Sequence, residues 1–330
     1  TWREMKCLKD VWDFKAMVSK TFDCWRTLPW KDLDPESLEG QSRKLRKQLN
    51  TMGSQFVSLK GWQVYRDVGE SIDVMTTILP LVGELRAESI RPRHWSALAR
   101  VCNVKVVDPT SSCSRFVLDD LLLLGLDTHK EEIEDIVETA AKELKIERKL
   151  TEIDSIWGQM QLEYVPHRDT NVCLPRPSEE VIECIEAHQM ELQGIYGMGK
   201  FMDHFKGRVL SWQSLLRTVD ETLNLWLLVS RLWASLEPIF LGSEDIRSQL
   251  PEDTKRFNDI DSDFKQLMKD TTVDAEPKVV DVCSVSGRLD LLCGMRKKLE
   301  LCQKSLNEYL DVKKKIFPRF YFVSSVALLD

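Results

Sequence analysis

Apolar residues recur along this chain at three- and four-residue intervals, the period of one face of an α-helix. Two stretches hold that spacing longest. Val209, Trp212, Leu216, Val219, Leu223, Trp226 and Trp233 form one seam, with Ser230 as its polar member and Pro238 expected to end the helix. Leu292, Met295, Leu299, Cys302, Leu306, Tyr309 and Ile316 form a second, interrupted by Lys313. A helix of ~30 residues reaches about 45 Å, which is more than a compact domain needs. Narrow seams on such helices suit an extended, antiparallel bundle that is stiff along its axis.

Shorter elements follow from local signals. Asp34-Pro35-Glu36 supplies a cap, a proline at the first helical position and an acid at the positive end of the helix dipole, so a helix is expected from there toward Asn50. Further helices are expected over Thr51–Gly69 and Ile72–Ala87, the latter kinked at Pro80, with a short one opening at Pro92-Arg93-His94-Trp95. After Pro109 and the turn Thr110-Ser111-Ser112, the run Leu121–Leu124 within Phe116–Leu126 predicts a helix buried on most sides. Ile133, Ile136, Val137, Ala140 and Leu144, then Leu150, Ile153 and Trp157, keep one apolar face.

One segment departs from the helical period. Gln159 to Val165 alternates polar and apolar, Pro166 to Asn171 reads as a turn and Val172-Cys173-Leu174 as a returning strand. Pro175 and Pro177 punctuate it, and Ser178 caps the next helix with Val181 as an early apolar contact. The expected fold is therefore all-α: an elongated array of helical bundles with one small β-hairpin. Its expected subdomains are residues 1–108, 109–177 (ending in the hairpin) and 178–330.

Composition narrows the function classes. Charged residues make up 30% of the 330 and the net charge is −7. That balance disfavours nucleic acid, whose binding depends on clustered cations; the basic runs Arg43–Lys47 and Lys313–Lys315 read as solvated helix faces. No apolar run approaches the roughly 20 residues of a bilayer span, and no signal peptide is visible. The chain begins at Thr1 and stops at Asp330 within the apolar stretch Val326–Leu329, so both ends read as cut from a longer polypeptide. Nine scattered cysteines, none in a C-x-x-C pair, read as reduced thiols, Cys302 among them on a helix seam. Ten tryptophans, including Trp25, Trp30, Trp226 and Trp233, read as anchors of helix junctions, with an exposed aromatic docking patch as the alternative.

Little here carries chemistry. Gly194-Ile195-Tyr196-Gly197-Met198-Gly199-Lys200 spells the body of a P-loop. However, Phe201 stands where a Mg²⁺-binding hydroxyl is required, and an amphipathic helix (Val181, Ile185, Leu192) precedes it where a strand is required. A glycine-rich corner between two helices is the working alternative. The histidines His94, His129, His167, His188 and His204 form no ligand pattern, and His188 with Glu191 reads as a solvated face. The acids Glu131, Glu132, Glu134 and Asp135 suit a helix N-terminus. No nucleophile–base pair can be argued, so no catalytic, cofactor-binding or metal-binding residue is assigned.

Several stretches, in order, resemble the linker of dynein heavy chains. They are Ile78-Leu79-Pro80-Leu81-Val82 with Arg93-His94-Trp95; Ile153-Asp154-Ser155-Ile156-Trp157; Val209-Leu210-Ser211-Trp212-Gln213 with Leu236-Glu237-Pro238-Ile239-Phe240; and Leu306-Asn307-Glu308-Tyr309-Leu310 leading to Phe317-Pro318-Arg319-Phe320-Tyr321-Phe322-Val323-Ser324. Details are similar to axonemal, outer-arm β-type chains. The resemblance implies an arched rod lying across a ring of AAA+ ATPase modules, bending and straightening with nucleotide state so that microtubules slide in cilia and flagella. It implies no cofactor in this stretch, with ATP and Mg²⁺ bound elsewhere in the parent chain. Implied partners are the ring of the same heavy chain, other dynein subunits and neighbouring heavy chains in the axoneme. Microtubules would be met only through the parent chain; neither nucleic acid nor membrane is implied. Gly194, Gly197, Gly199 and Gly207 are the candidate hinge. A static helical scaffold is the alternative, although no internal repeat of fixed length supports it; an enzyme built on the P-loop-like run is a third, set aside because of Phe201.

Overall fold

The computed structural model describes residues 2–104, 116–168, 170, 172–272 and 276–316. The turn at 109–112, Cys113, the hairpin-turn residues 169 and 171, and the 317–325 junction with the 326–329 stretch lie outside them. Among the described residues the fold is all-α with one two-stranded antiparallel sheet. It divides into two compact units, residues 1–145 and 146–330.

The first unit holds α1 (Trp2–Arg26), α2 (Pro35–Gln55), α3 (Gln63–Leu85), α4 (Pro92–Val101), α5 (Leu118–Leu122) and the start of α6 (Lys130–Trp157). The Asp34 carboxylate accepts the Ser37 N–H at 3.3 Å, so the expected cap of α2 is formed. Helix α2 runs past Asn50 to Gln55, and a 3-10 turn over Val57–Gly61 replaces the separate helix expected from Thr51. That turn buries Leu59 against Cys7 and Val11 of α1. Gly53 is required where α2 meets α3, because a Cβ there would lie 2.3 Å from the Tyr65 hydroxyl oxygen. Helix α3 is one element from Gln63 with Pro80 inside it. Trp30, Trp95 and Phe116 pack edge to face with centroids 5.6–6.1 Å apart, a geometry favoured by the ring quadrupoles. The leucine run is not a helix buried on most sides: α5 stops at Leu122, Gly125 turns the chain at φ +63°, and Leu123 is 75% exposed while Leu121 and Leu124 are buried.

The second unit holds the rest of α6, then β1 (Glu163–Pro166), β2 (Cys173–Arg176), α7 (Glu179–Tyr196), α8 (Lys206–Gly242), α9 (Glu244–Gln249), α10 (Pro251–Thr271), α11 (Val279–Cys283) and α12 (Arg288–Ile316). The hairpin register pairs Glu163 with Arg176 and Tyr164 with Pro175. A two-stranded ribbon has only edges, which is where a strand tolerates proline. Helix α8 packs against α7, α11 and α12, and α12 also packs on α10. Val209, Leu216, Val219, Trp226 and Trp233 are fully buried.

Pro238 does not end α8. The helix runs 37 residues to Gly242 because Phe240, beyond the proline, is buried against Phe257 with stacked rings 5.2 Å apart. The α12 seam is buried through Leu306 and Leu310, Tyr309 is half-buried, and Ile316 is 75% exposed. By length and composition alone Gly199–Gly242 could cross a bilayer, contrary to the sequence expectation, because apolar residues flank the seam as well as filling it. The burial of that seam among α7, α11 and α12 is the pattern of a core helix.

Candidate functional site

The glycine-rich corner has no P-loop architecture. Gly194 lies in the last turn of α7, Gly197 caps that helix, and a 3-10 turn over Gly199–Phe205 passes directly into α8. The Lys200 ammonium lies 5.1 Å from the centroid of the Phe201 ring. The four glycines differ in what they require. Gly199 sits at φ +61°, a left-handed conformation that disfavours a side chain, whereas a Cβ at Gly194 or Gly207 would meet nothing within 4 Å. A Cβ at Gly197 would press on the Gly194 carbonyl oxygen at 3.3 Å. Met202 and Phe205 are buried, so the turn between these glycines is anchored in the core.

Helix α6 ties both sides of the corner. The Trp157 indole N–H donates to His188 Nδ1 of α7 at 3.1 Å. Asp154, one turn earlier, accepts the Trp212 indole N–H of α8 at 2.7 Å and pairs with the Arg208 guanidinium. Lys149 adds an exposed bond to Glu191 at 3.0 Å. His188 is buried, which corrects its assignment to a solvated face: an indole N–H can only donate, so this imidazole is engaged as an acceptor inside the core.

The hairpin is fastened separately. His167 follows β1, and its Nε2 lies 3.1 Å from Oε2 of Glu237. Its ring lies 5.1 Å from that of Trp233, whose indole donates to Asp261 of α10 at 3.0 Å; Lys265 closes the chain on Asp261 at 2.7 Å.

The first unit has its own buried ionic group. The Arg91 backbone N–H donates to His94 Nδ1 at 2.9 Å, which leaves Nε2–H to donate to Glu143 Oε2 at 3.1 Å. Arg93 Nε donates to the same oxygen at 2.6 Å. Burial, more than the opposing pull of Glu143, holds the His94 pKa below the usual histidine value. Among the described residues no group of three His, Cys, Asp or Glu could hold a metal ion. These clusters lock helices and carry no reaction geometry. Sequence reading passed over Asp154, Glu143 and the His167–Glu237 pair. Asp154 and Glu237 do stand inside the quoted stretches of resemblance, the one signal that could have pointed to them.

Residues 1–330 match the family described as "Dynein heavy chain, N-terminal region 2". Dynein axonemal heavy chain 17 of Homo sapiens is 38% identical over 328 residues, covering 99% of this chain. The ciliary dynein beta chain of Tripneustes gratilla is 38% identical over 328 residues, also covering 99%. The flagellar outer-arm dynein beta chain of Chlamydomonas reinhardtii is 36% identical over 329 residues, again covering 99%. In each case the chain spans 7% of the relative's length.

Proposed function

The chain belongs to the dynein heavy-chain family, as its N-terminal region 2, and we propose that it serves there as the mechanical linker. In this reading it is a lever that bends and straightens against the AAA+ ring of the same heavy chain. ATP and Mg²⁺ are bound and turned over elsewhere in that chain, and the stroke slides microtubules. The location proposed is the axoneme of cilia or flagella, on the strength of relatives named axonemal, ciliary and flagellar.

The observation that carries the reading is the packing of α8. At about 1.5 Å per residue its 37 residues extend about 55 Å. Its apolar seam is buried along nearly all of that length, with Trp212 half-buried, and α12 supplies a second long helix beside it. A helix whose side chains interdigitate with neighbours over many turns resists bending, as load transmission requires. Compliance is then assigned to the Gly194–Gly207 corner, the interruption between α7 and α8.

The test is a fluorescence distance in the complete heavy chain, with one probe near Trp25 and one on the ring. It is read without nucleotide and with ATP plus vanadate. A large nucleotide-dependent change is the expected result. An unchanged distance would make the segment a fixed strut and restore the scaffold reading.

A further inference from the structure

Helix α8 begins without the aids that hold a helix start. Phe205 at its cap position supplies no side-chain hydrogen bond, and the first turn holds no acid. Lys206, Gly207 and Arg208 instead put two cations and a glycine where the helix dipole is positive. The turn that feeds it, Gly199–Phe205, keeps the 3-10 form for seven residues, longer than this poorer hydrogen-bond geometry commonly sustains. Such a start frays unless something outside it holds it. Asp154 of α6 is what holds it. One carboxylate oxygen accepts the Trp212 indole N–H at 2.7 Å and the other pairs with Arg208, so one side chain spans the first two turns of α8. Asp154 itself stands in the last turn of α6, where the dipole disfavours an acid. Its placement weakens its own helix and supports the next.

The two fastenings that α6 makes around the corner differ in their access to water. Trp157 and His188 are 1% and 7% exposed, so parting them would strand an indole N–H and an imidazole nitrogen where no water reaches. The side chains of Asp154 and Arg208 are 41% and 39% exposed, and solvent receives both as they part. We propose that Asp154 is the latch of the corner: residues 199–212 open as one unit when its carboxylate lets go of α8, while α6 and α7 stay joined through Trp157 and His188. Met202, Phe205 and Val209 are buried and oppose the opening. The unit is therefore closed at rest, and the latch sets how often it opens. The latch rests on the compliance assigned to this corner under the lever reading, and it requires no stroke.

The experiment is hydrogen–deuterium exchange read by mass spectrometry on the complete heavy chain without nucleotide. The parent is compared with Asp154→Asn, which keeps an acceptor for the Trp212 indole but replaces the oxygen on Arg208 by an amide, and with Arg208→Gln. In both variants exchange over residues 199–212 is expected to quicken several-fold while residues 179–196 keep the parent rate. Added sodium chloride screens a half-exposed ion pair, so it quickens residues 199–212 in the parent and in neither variant. A carboxylate that merely filled space would show no such salt response. Parent rates over 199–212 in both variants overturn the proposal. So does a quickening that covers α7 equally, or a salt response that survives in the variants. Exchange over α10 and α12 at the parent rate separates a lost latch from a misfolded chain. An unchanged distance between the Trp25 probe and the ring would remove the lever and leave the exchange result standing.

Discussion

The imidazole of His167 reaches 3.1 Å to the carboxylate of Glu237 and so fastens the turn of the hairpin to helix α8, 70 positions away in sequence. Side chains of both residues are about one-tenth exposed, at 10% and 11%. Removing one partner strands the other in a place with little water. Glu237→Ala and His167→Ala are each expected to cost about 1–3 kcal/mol in urea unfolding. The double variant should cost less than the sum of the two, because the second substitution removes a group already orphaned. Additive losses would show that the pair is not coupled.

The pH dependence of the first unit follows from His94. Its folded pKa lies below the usual histidine value of 6.5, mainly through burial. The unfolded chain therefore binds the proton more readily, and stability rises with pH across that interval. The contribution of His94 is complete above about pH 6.5 and is lost as pH falls through 6.5 toward the folded pKa. Unfolding midpoints at pH 7.5 and 5.5 should differ more in the parent chain than in His94→Gln. An equal difference in both would trace the acid sensitivity to other groups.

Three polar atoms on one face of α8, Thr222 Oγ1, Trp226 Nε1 and Ser230 Oγ, are buried without a hydrogen-bond partner. Replacing such a hydroxyl removes a desolvation penalty without breaking a bond. Thr222→Val and Ser230→Ala should be neutral or stabilising by up to about 1 kcal/mol. Trp226→Ala, which empties a fully buried site, should cost about 3–5 kcal/mol. A loss above about 1 kcal/mol for either hydroxyl variant would reveal a buried water bonded there.

The corner glycines separate stiffness from strain. Gly194→Ala and Gly207→Ala find open space for the new Cβ and should stabilise by about 0.4–1 kcal/mol through a less flexible unfolded chain. Gly199→Ala, at φ +61°, should destabilise by about 1 kcal/mol. If the corner is the compliant joint, the two stabilising substitutions slow microtubule gliding by the complete heavy chain. Wild-type gliding would move the joint elsewhere.

Where local chemistry decides, the sequence was readable. Asp34 before Pro35 forms the expected cap, and Ser178 accepts the Val181 N–H at 3.4 Å at the start of α7. The seams from Val209 to Trp233 and from Leu292 to Leu306 are buried almost throughout, since period and burial are two expressions of one geometry. The hairpin was legible from alternation. What failed were outcomes set by distant partners. Pro238 lacks a donor, yet Phe240 on Phe257 keeps the helix going. The leucine run resembled a buried helix, yet Gly125 turns the chain and leaves Leu123 outside. His167 and Glu237 share no local signature at all. The four glycines were recognisable as a corner, but only backbone geometry distinguishes Gly199 from the rest.

The most and the least exposed tryptophans stand in different environments, with an optical consequence. Trp157, Trp226 and Trp233 are closed off from solvent, and Trp2 and Trp12 stand in it. Their emission therefore sums a blue-shifted component that aqueous quenchers cannot reach and a red-shifted one that they can. Trp25 and Trp95 are buried in the first unit as well, so the chain carries an intrinsic gauge whose first component reads the cores of both units and whose second reads the open face of α1, with no label attached.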